Sequence, residues 1–233
     1  MSAHPEESRM SDYTLVIGNK NYSSWSLRPW LLMAHAGIPF REIRIALREA
    51  GSRAGILQHS PSGRVPVLRN GPVVVWDSLA IAEYLNERHP DLRLWPADPA
   101  ARATARSVCA EMHAGFQALR SSMGMNCRSS FPGVGRTPDT IADIARLTAI
   151  WSDCRGCFGG AGAFLFGEFS IADAMFAPVA FRFRTYGVEL DAVCQAYCDH
   201  VIGLPAMQRW LADALVEPEV VAAFEPNAPP TLI

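Results

Sequence analysis

A chain of 233 residues, 49% of them apolar, is long enough to bury one large core or two small ones. Its net charge of −2, with no long basic block or stripe, argues against nucleic acid as a partner. No apolar run is long enough to cross a bilayer, so no membrane partner is expected. Residues 1–12 are polar and partly acidic, and Met10-Ser11-Asp12 is itself a plausible start. They lack the basic-then-apolar order of a secretory signal, so a loose tail and a cytoplasmic location are expected.

The run Tyr13-Thr14-Leu15-Val16-Ile17-Gly18 predicts a first strand. Leu27, Trp30, Leu31 and Ala34 recur at helical spacing, and Gly37 closes that helix as a C-cap would. Residues 40–47 alternate, with Ile43 and Ile45 on one face and Arg44 on the other, which predicts a second strand. Residues 51–59 hold a weakly patterned short helix. Val65-Pro66-Val67-Leu68 and Val73-Val74-Val75 flank Asn70-Gly71, a strong hairpin signal. Ile81, Tyr84 and Leu85 mark a helix stopped at His89-Pro90. The order is β-α-β-α-β-β-α, with a parallel first pair and an antiparallel last pair.

Residues 92–99, with Trp95-Pro96 and Asp98-Pro99, read as a linker. Beyond it no strand is predicted. Residues 100–120 are Ala-rich and helical, and residues 129–138 break the pattern. Thr137-Pro138 opens a second long helix with Pro at its first position and Asp139 in its first turn. Residues 156–167 form a Gly-rich loop. Ser170-Ile171-Ala172-Asp173 resembles a capping box, with Phe169 and Ala174 placed as its apolar staple. Shorter helices follow at 192–198 and 205–215.

The six cysteines, Cys109, Cys127, Cys154, Cys157, Cys194 and Cys198, are expected as free thiols in a reducing compartment. Cys154 and Cys157 have C-x-x-C spacing, but they sit far from any strand-to-helix turn, and Cys194 and Cys198 are loosely spaced for zinc. Small buried hydrophobes is the simpler account, and no metal is expected.

The segment Asn21-Tyr22-Ser23-Ser24-Trp25-Ser26-Leu27-Arg28-Pro29-Trp30 carries the most information. Proline is tolerated only in the first turn of a helix. With Pro29 there, Ser26 becomes the N-cap, and Ser23 and Ser24 stand just outside, at the positive end of the helix. Serines before helices are most often plain caps. The same position suits an anion, and a thiolate there gains a hydroxyl donor and free N–H groups.

At this point the residues resemble a family. The chain, over about residues 13–224, is similar to the glutathione transferases of the zeta-like or another serine-using bacterial kind. Ser23-Ser24-Trp25-Ser26-Leu27-Arg28 resembles their S-S-C-S-x-R segment. The resemblance implies that Ser23 hydrogen-bonds the glutathione sulfur, with Ser24 as the adjacent or alternative donor and Tyr22 as a third. Trp25 replaces a cysteine, and Pro29-Trp30 replaces Val-Arg, which argues against maleylacetoacetate isomerase activity. The first domain has no cysteine, which argues against cysteine-type glutathionyl chemistry.

Ser62-Gly63-Arg64-Val65-Pro66-Val67-Leu68 is the second motif. The resemblance implies a cis Val65–Pro66 bond, Val65 pairing with the cysteinyl unit and Arg64 near the glycine carboxylate. Asp77-Ser78-Leu79-Ala80-Ile81 is the third, with Ser78 and Asp77 at the γ-glutamyl end. Trp25, Arg64, Val65, Pro66, Asp77 and Ser78 are thus the expected glutathione-binding set, and Ser23 and Ser24 the catalytic one.

The implied fold is α/β plus all-α: a thioredoxin-like glutathione-binding domain over 11–90, then an all-helical domain over 98–225. An electrophile pocket is expected from Met112, His113, Phe116 and Arg120, at helical spacing on one stretch. The resemblance further implies a cytoplasmic homodimer acting in detoxification, with glutathione and a small electrophile as partners. A non-catalytic carrier or interaction protein of the same fold, and glutathione-dependent peroxide reduction or isomerisation, are the alternatives.

Overall fold

The computed structural model describes residues 13–225 and 231–232. The loose tail expected before Tyr13 lies outside the described residues, as do positions 11 and 12 of the first domain.

The first domain is built on a four-stranded sheet in the order β2-β1-β3-β4. Strand β1, Tyr13–Ile17, is almost wholly buried, as its continuous apolar run requires of a central strand. Helix α1, Ser24–His35, carries the chain to β2, Arg41–Arg44, which pairs with β1 in parallel through Val16 and Ile43. A short helix α2, Ser52–Leu57, leads to β3, Val67–Asn70, and β4, Val73–Trp76. Both pairings there are antiparallel, with Leu68 facing Leu15 and Val75. Gly71 turns the hairpin at φ +55°, a backbone state that glycine adopts at little cost. Helix α3, Ser78–Arg88, follows, capped by Asp77, whose carboxylate accepts the Leu79 N–H at 2.9 Å. The predicted element order is the observed one, while β2 is shorter than residues 40–47 suggest.

The start of α1 differs from expectation. Ser23 is the N-cap, three residues before Ser26, and its carbonyl accepts the Leu27 N–H at 3.1 Å. The hydroxyl of Ser26 does not cap, because it is taken by the Gly18 N–H at 3.0 Å and the Ser23 O–H at 2.8 Å. Pro29 therefore lies inside the helix, where it removes one backbone donor. Burial of α1 between the sheet and the second domain outweighs that loss: Leu27, Leu31, Leu32 and Met33 are fully buried.

The second domain opens with α4, Pro99–Ala114, whose N-cap Asp98 accepts the Ala101 N–H at 2.7 Å. The single helix expected over 100–120 is broken: Gly115 is extended, Phe116 has φ +61°, and α5 restarts at Gln117–Ser122. Arg120 helps set the break, since its guanidinium donates to the carbonyls of Gly115 and Met112. A two-residue strand β5, Ser129–Ser130, follows.

Helix α6, Pro138–Phe158, has Pro138 at its first position as predicted and runs through Gly156, so the Gly-rich loop is shorter than expected. Helix α7, Ile171–Thr185, is the buried axis of the domain and packs on both α1 and α4. Its capping box is complete: the Ser170 hydroxyl accepts from the backbone N–H of Asp173, and the Asp173 carboxylate accepts from the backbone N–H of Ser170. Phe169 stacks on His35 of α1 with ring centroids 3.8 Å apart and meets Phe164 of its own domain edge-on at 5.4 Å, so it packs on these rings instead of on Ala174 alone.

Helices α8, Ala192–Gly203, and α9, Pro205–Leu215, complete the bundle. Strand β6, Thr231–Leu232, pairs with β5, so the helical domain carries one short antiparallel ladder that the sequence pattern does not announce. All six cysteines are free; five are buried and Cys157 is exposed. Among the described residues no helix is long and apolar enough to cross a membrane, and no group of three or more His, Cys, Asp or Glu is disposed to hold a metal ion.

Candidate functional site

Two adjoining cavities open where the sheet domain meets the helical one. The smaller, about 550 Å³, is lined by Ser62, Pro66, Trp76, Asp77, Ser78 and His113. The larger, about 810 Å³, is lined by Ser23, Ser24, Arg48, Arg53, Arg120, Arg182 and Phe224 among others. Trp25, Arg64 and Val65 line both, so the two form one trough across the N-terminus of α1.

The hydroxyls at that terminus have distinct partners. Ser23 and Ser24 are each 6% exposed. The Ser23 O–H donates to Ser26, whereas Ser24 Oγ accepts from Arg182 Nη2 at 3.2 Å. The third candidate donor is committed elsewhere: Tyr22 donates its O–H to Glu225 at 2.6 Å and accepts from Arg128 at 2.9 Å. The Tyr22 ring also stacks on Phe224, one wall of the larger cavity.

Around these hydroxyls stands a group of buried cations. Trp25 is held between two guanidinium groups, that of Arg28 at 4.4 Å and that of Arg120 at 4.8 Å from its ring centre. His113 meets the same ring edge-on at 5.1 Å. Burial, reinforced by Arg120 and Arg182, pushes the Arg28 pKa down to about 9, and burial with Arg120 brings Arg182 down to about 10. Arginine stays protonated in proteins, so both side chains keep their charge in this buried setting.

In the smaller cavity Arg28 reaches the buried Ser78 hydroxyl at 3.4 Å. Asp77 Oδ2 faces His113 Nε2 at 3.1 Å, joining the start of α3 to the end of α4. Burial holds the His113 pKa below its usual value, Asp77 opposes that shift, and Arg28 and Arg120 add to it. Val65–Pro66 is cis, and neither backbone polar group of Val65 is taken up by another described residue. The Arg64 N–H donates to Ser62 Oγ at 3.2 Å.

The trough brings together Ser23, Ser24, Trp25, Arg64, Val65, Pro66, Asp77 and Ser78. The four residues expected on one electrophile wall are dispersed by the break at Gly115. Met112 is buried in the core, His113 lines the smaller cavity, Phe116 is buried, and Arg120 alone lines the larger one. Sequence reasoning missed Arg182, although a charged residue inside the apolar run from Met175 to Phe183 is a legible signal. It also missed Phe224, which comes from beyond the last predicted helix and lines the larger cavity.

Residues 22–88 match the family model of the glutathione S-transferase N-terminal domain, and residues 135–213 match that of the C-terminal domain. The chain is 28% identical over 217 residues to glutathione S-transferase GstB of Escherichia coli, covering 88% of this chain and 95% of that one. It is 34% identical over 98 residues to a probable maleylacetoacetate isomerase of Caenorhabditis elegans, of which it spans 45%. Among solved structures, a glutathione transferase homolog from Burkholderia with bound glutathione superposes with a TM-score of 0.66 at 21% identity, covering 87% of this chain and 97% of that one.

Proposed function

The chain belongs to the glutathione S-transferase family, and from that premise we propose that it is a serine-type glutathione transferase acting on a small electrophile. The observation that carries this reading is the continuous trough: an acidic helix cap, an extended unpaired backbone and two hydroxyls at a helix N-terminus follow one another along it. That order fits a γ-linked tripeptide. The γ-glutamyl group belongs beside Asp77, Ser78 and His113, and its ammonium has a carboxylate partner in Asp77. The peptide-like cysteinyl unit pairs with the backbone of Val65. The thiol then lies at the start of α1, where the helix terminus and a serine O–H favour thiolate over thiol. Arg64 is at hand for the glycine carboxylate. The electrophile occupies the remainder of the larger cavity, against Arg120 and Phe224.

We further read the protein as a cytoplasmic homodimer. Val73 and Trp76 on edge strand β4 are 43% and 47% exposed, which leaves apolar surface for a second copy. Sedimentation as a monomer at micromolar concentration would count against that reading.

The function is tested by thermal unfolding with reduced glutathione and with S-methyl-glutathione. A ligand at a hundredfold its Kd adds about 2.7 kcal/mol. At roughly 2–4 °C per kcal/mol the midpoint should rise by about 5–10 °C. Turnover with an electrophile panel then separates a transferase from a carrier that binds without chemistry. An isomerase is a second reading, favoured by the isomerase relative, and a cis-to-trans substrate in the same panel tests it. No rise with either ligand removes the glutathione reading.

A further inference from the structure

We propose that Ser24, rather than Ser23, is the hydroxyl that contacts the thiol sulfur, and that Arg182 is its positioning residue, supplying the buried positive charge that favours the thiolate. The inference rests on the glutathione reading above.

A count of hydrogens comes first. A serine hydroxyl has one hydrogen to donate. That of Ser23 goes to Ser26 Oγ at 2.8 Å, where the oxygen also takes the Gly18 N–H at 3.0 Å. Ser24 is the reverse case. Its oxygen accepts from Arg182 Nη2 at 3.2 Å, and no described residue accepts its hydrogen. Both serines line the larger cavity, so Ser24 presents a free O–H to it while Ser23 does not. Ser24 is also the first residue of α1, where the helix N-terminus adds positive potential.

The charge around Arg182 points the same way. Arg182 is 5% exposed, and its guanidinium is held by two neutral acceptors, the Met123 carbonyl and Ser24 Oγ. The ionisable groups that face it are Arg120 from α5, Tyr186 at the end of α7 and Cys127 from the loop before β5. Arg28 from α1 is the other nearby cation. No carboxylate stands among them, and Arg182 makes none of the ion pairs of the described residues. A buried charge without a partner is costly, and an anionic ligand offsets that cost by supplying the counter-charge. A thiolate on the Ser24 hydroxyl is that counter-charge. On binding, the thiol gives its proton to solvent and keeps the S–H electron pair on sulfur. No bond to the protein forms.

The experiment measures the ionisation of protein-bound glutathione by its ultraviolet thiolate absorbance across a pH series. The expected result is a bound thiol that ionises well below free glutathione in the wild type. Ser24→Ala and Arg182→Gln each raise that pKa by about one unit, a tenfold loss of thiolate at fixed pH. Arg182→Lys, which keeps the charge, restores most of the shift, and Ser23→Ala moves it less than Ser24→Ala. Should Arg182→Gln not fold, Ser24→Ala and Arg182→Lys carry the test, with the circular dichroism spectrum as the folding control.

An Arg182→Gln protein that binds glutathione with an unshifted thiol pKa overturns the proposal. So does a Ser23→Ala shift larger than that of Ser24→Ala. Loss of turnover confined to anionic electrophiles, at constant thiol pKa, also overturns it and assigns Arg182 to the second substrate. A wild type whose unfolding midpoint ignores both glutathione and S-methyl-glutathione removes the underlying reading and this proposal with it.

Discussion

The carboxylate of Glu217 accepts the backbone N–H of Lys20 at 2.6 Å, across 197 positions of sequence, and takes the neighbouring N–H of Asn21 at 2.9 Å. Those two N–H groups belong to the turn that feeds α1, so the tail beyond α9 fixes the loop that presents Ser23 and Ser24. Burial pushes the Glu217 pKa up, against the two backbone donors and Arg44. Glu217→Gln keeps the shape but offers one acceptor oxygen where the carboxylate offers two. The expected cost is about 1–3 kcal/mol, hence a fall in Tm of about 2–12 °C. The thiol substrate should also bind more weakly. An unchanged Tm in thermal unfolding would remove Glu217 from this role.

Asp173 is the second buried carboxylate on which the fold depends. It accepts from the Leu165 N–H, the Ser170 N–H and O–H, and the Tyr197 O–H, all at 2.9–3.1 Å. Burial nevertheless raises its pKa to about 6, from 3.8 when unfolded. The folded value lies above the unfolded one, so the native state holds the proton more tightly. The stability owed to this proton falls as pH rises from about 4 to about 6. Asp173→Asn should destabilise by about 2–4 kcal/mol. The Tm advantage of the wild type over the variant should narrow with rising pH across that window. A constant difference would contradict the assignment.

Trp25 ties both domains together by packing between Arg28 and Arg120 and against His113. Each cation–π contact is worth about 0.5–2 kcal/mol. Trp25→Leu should therefore cost about 1–3 kcal/mol, and it opens the wall shared by the two cavities. Raised KM for glutathione with a smaller change in kcat is the expected kinetic signature. Wild-type KM in the folded variant would show that the ring does not border the thiol substrate.

The His113 pKa is held down by burial first; the Asp77 carboxylate at 3.1 Å opposes that shift, and Arg28 and Arg120 add to it. A histidine whose folded pKa lies below its unfolded value favours the neutral ring. The stability it supports is present above the unfolded pKa of 6.5 and is lost as pH falls below it. An NMR titration of the His113 ring should give a midpoint below that of an exposed histidine. His113→Gln should flatten the acid-side decline of Tm. A midpoint above the ordinary histidine value would mean that the Asp77 pair dominates instead.

The sequence by itself determined the elements whose signals are local. Alternation gave the strand around Ile43, the apolar runs flanking Asn70-Gly71 gave the hairpin, and Thr137-Pro138 gave the start of α6, because each is set by residues within a few positions of one another. Ser23 and Ser24 were legible as hydroxyls at a helix start for the same reason, whereas Val65, Asp77 and Ser78 were picked out by the family resemblance.

Only the tertiary structure decided how those groups are charged and bonded. Burial let Pro29 sit inside α1, where propensity placed it at the edge, and shifted the N-cap from Ser26 to Ser23. The break at Gly115–Phe116 scattered Met112, His113, Phe116 and Arg120, because Arg120 bonds the carbonyls that a continuous helix would keep. Arg182 and Glu217 reach the α1 terminus from more than a hundred residues away, brought there by packing of α7 and the tail against the first domain. Their roles depend on which charges share a low-dielectric space, and that is a property of the folded chain rather than of any stretch of it.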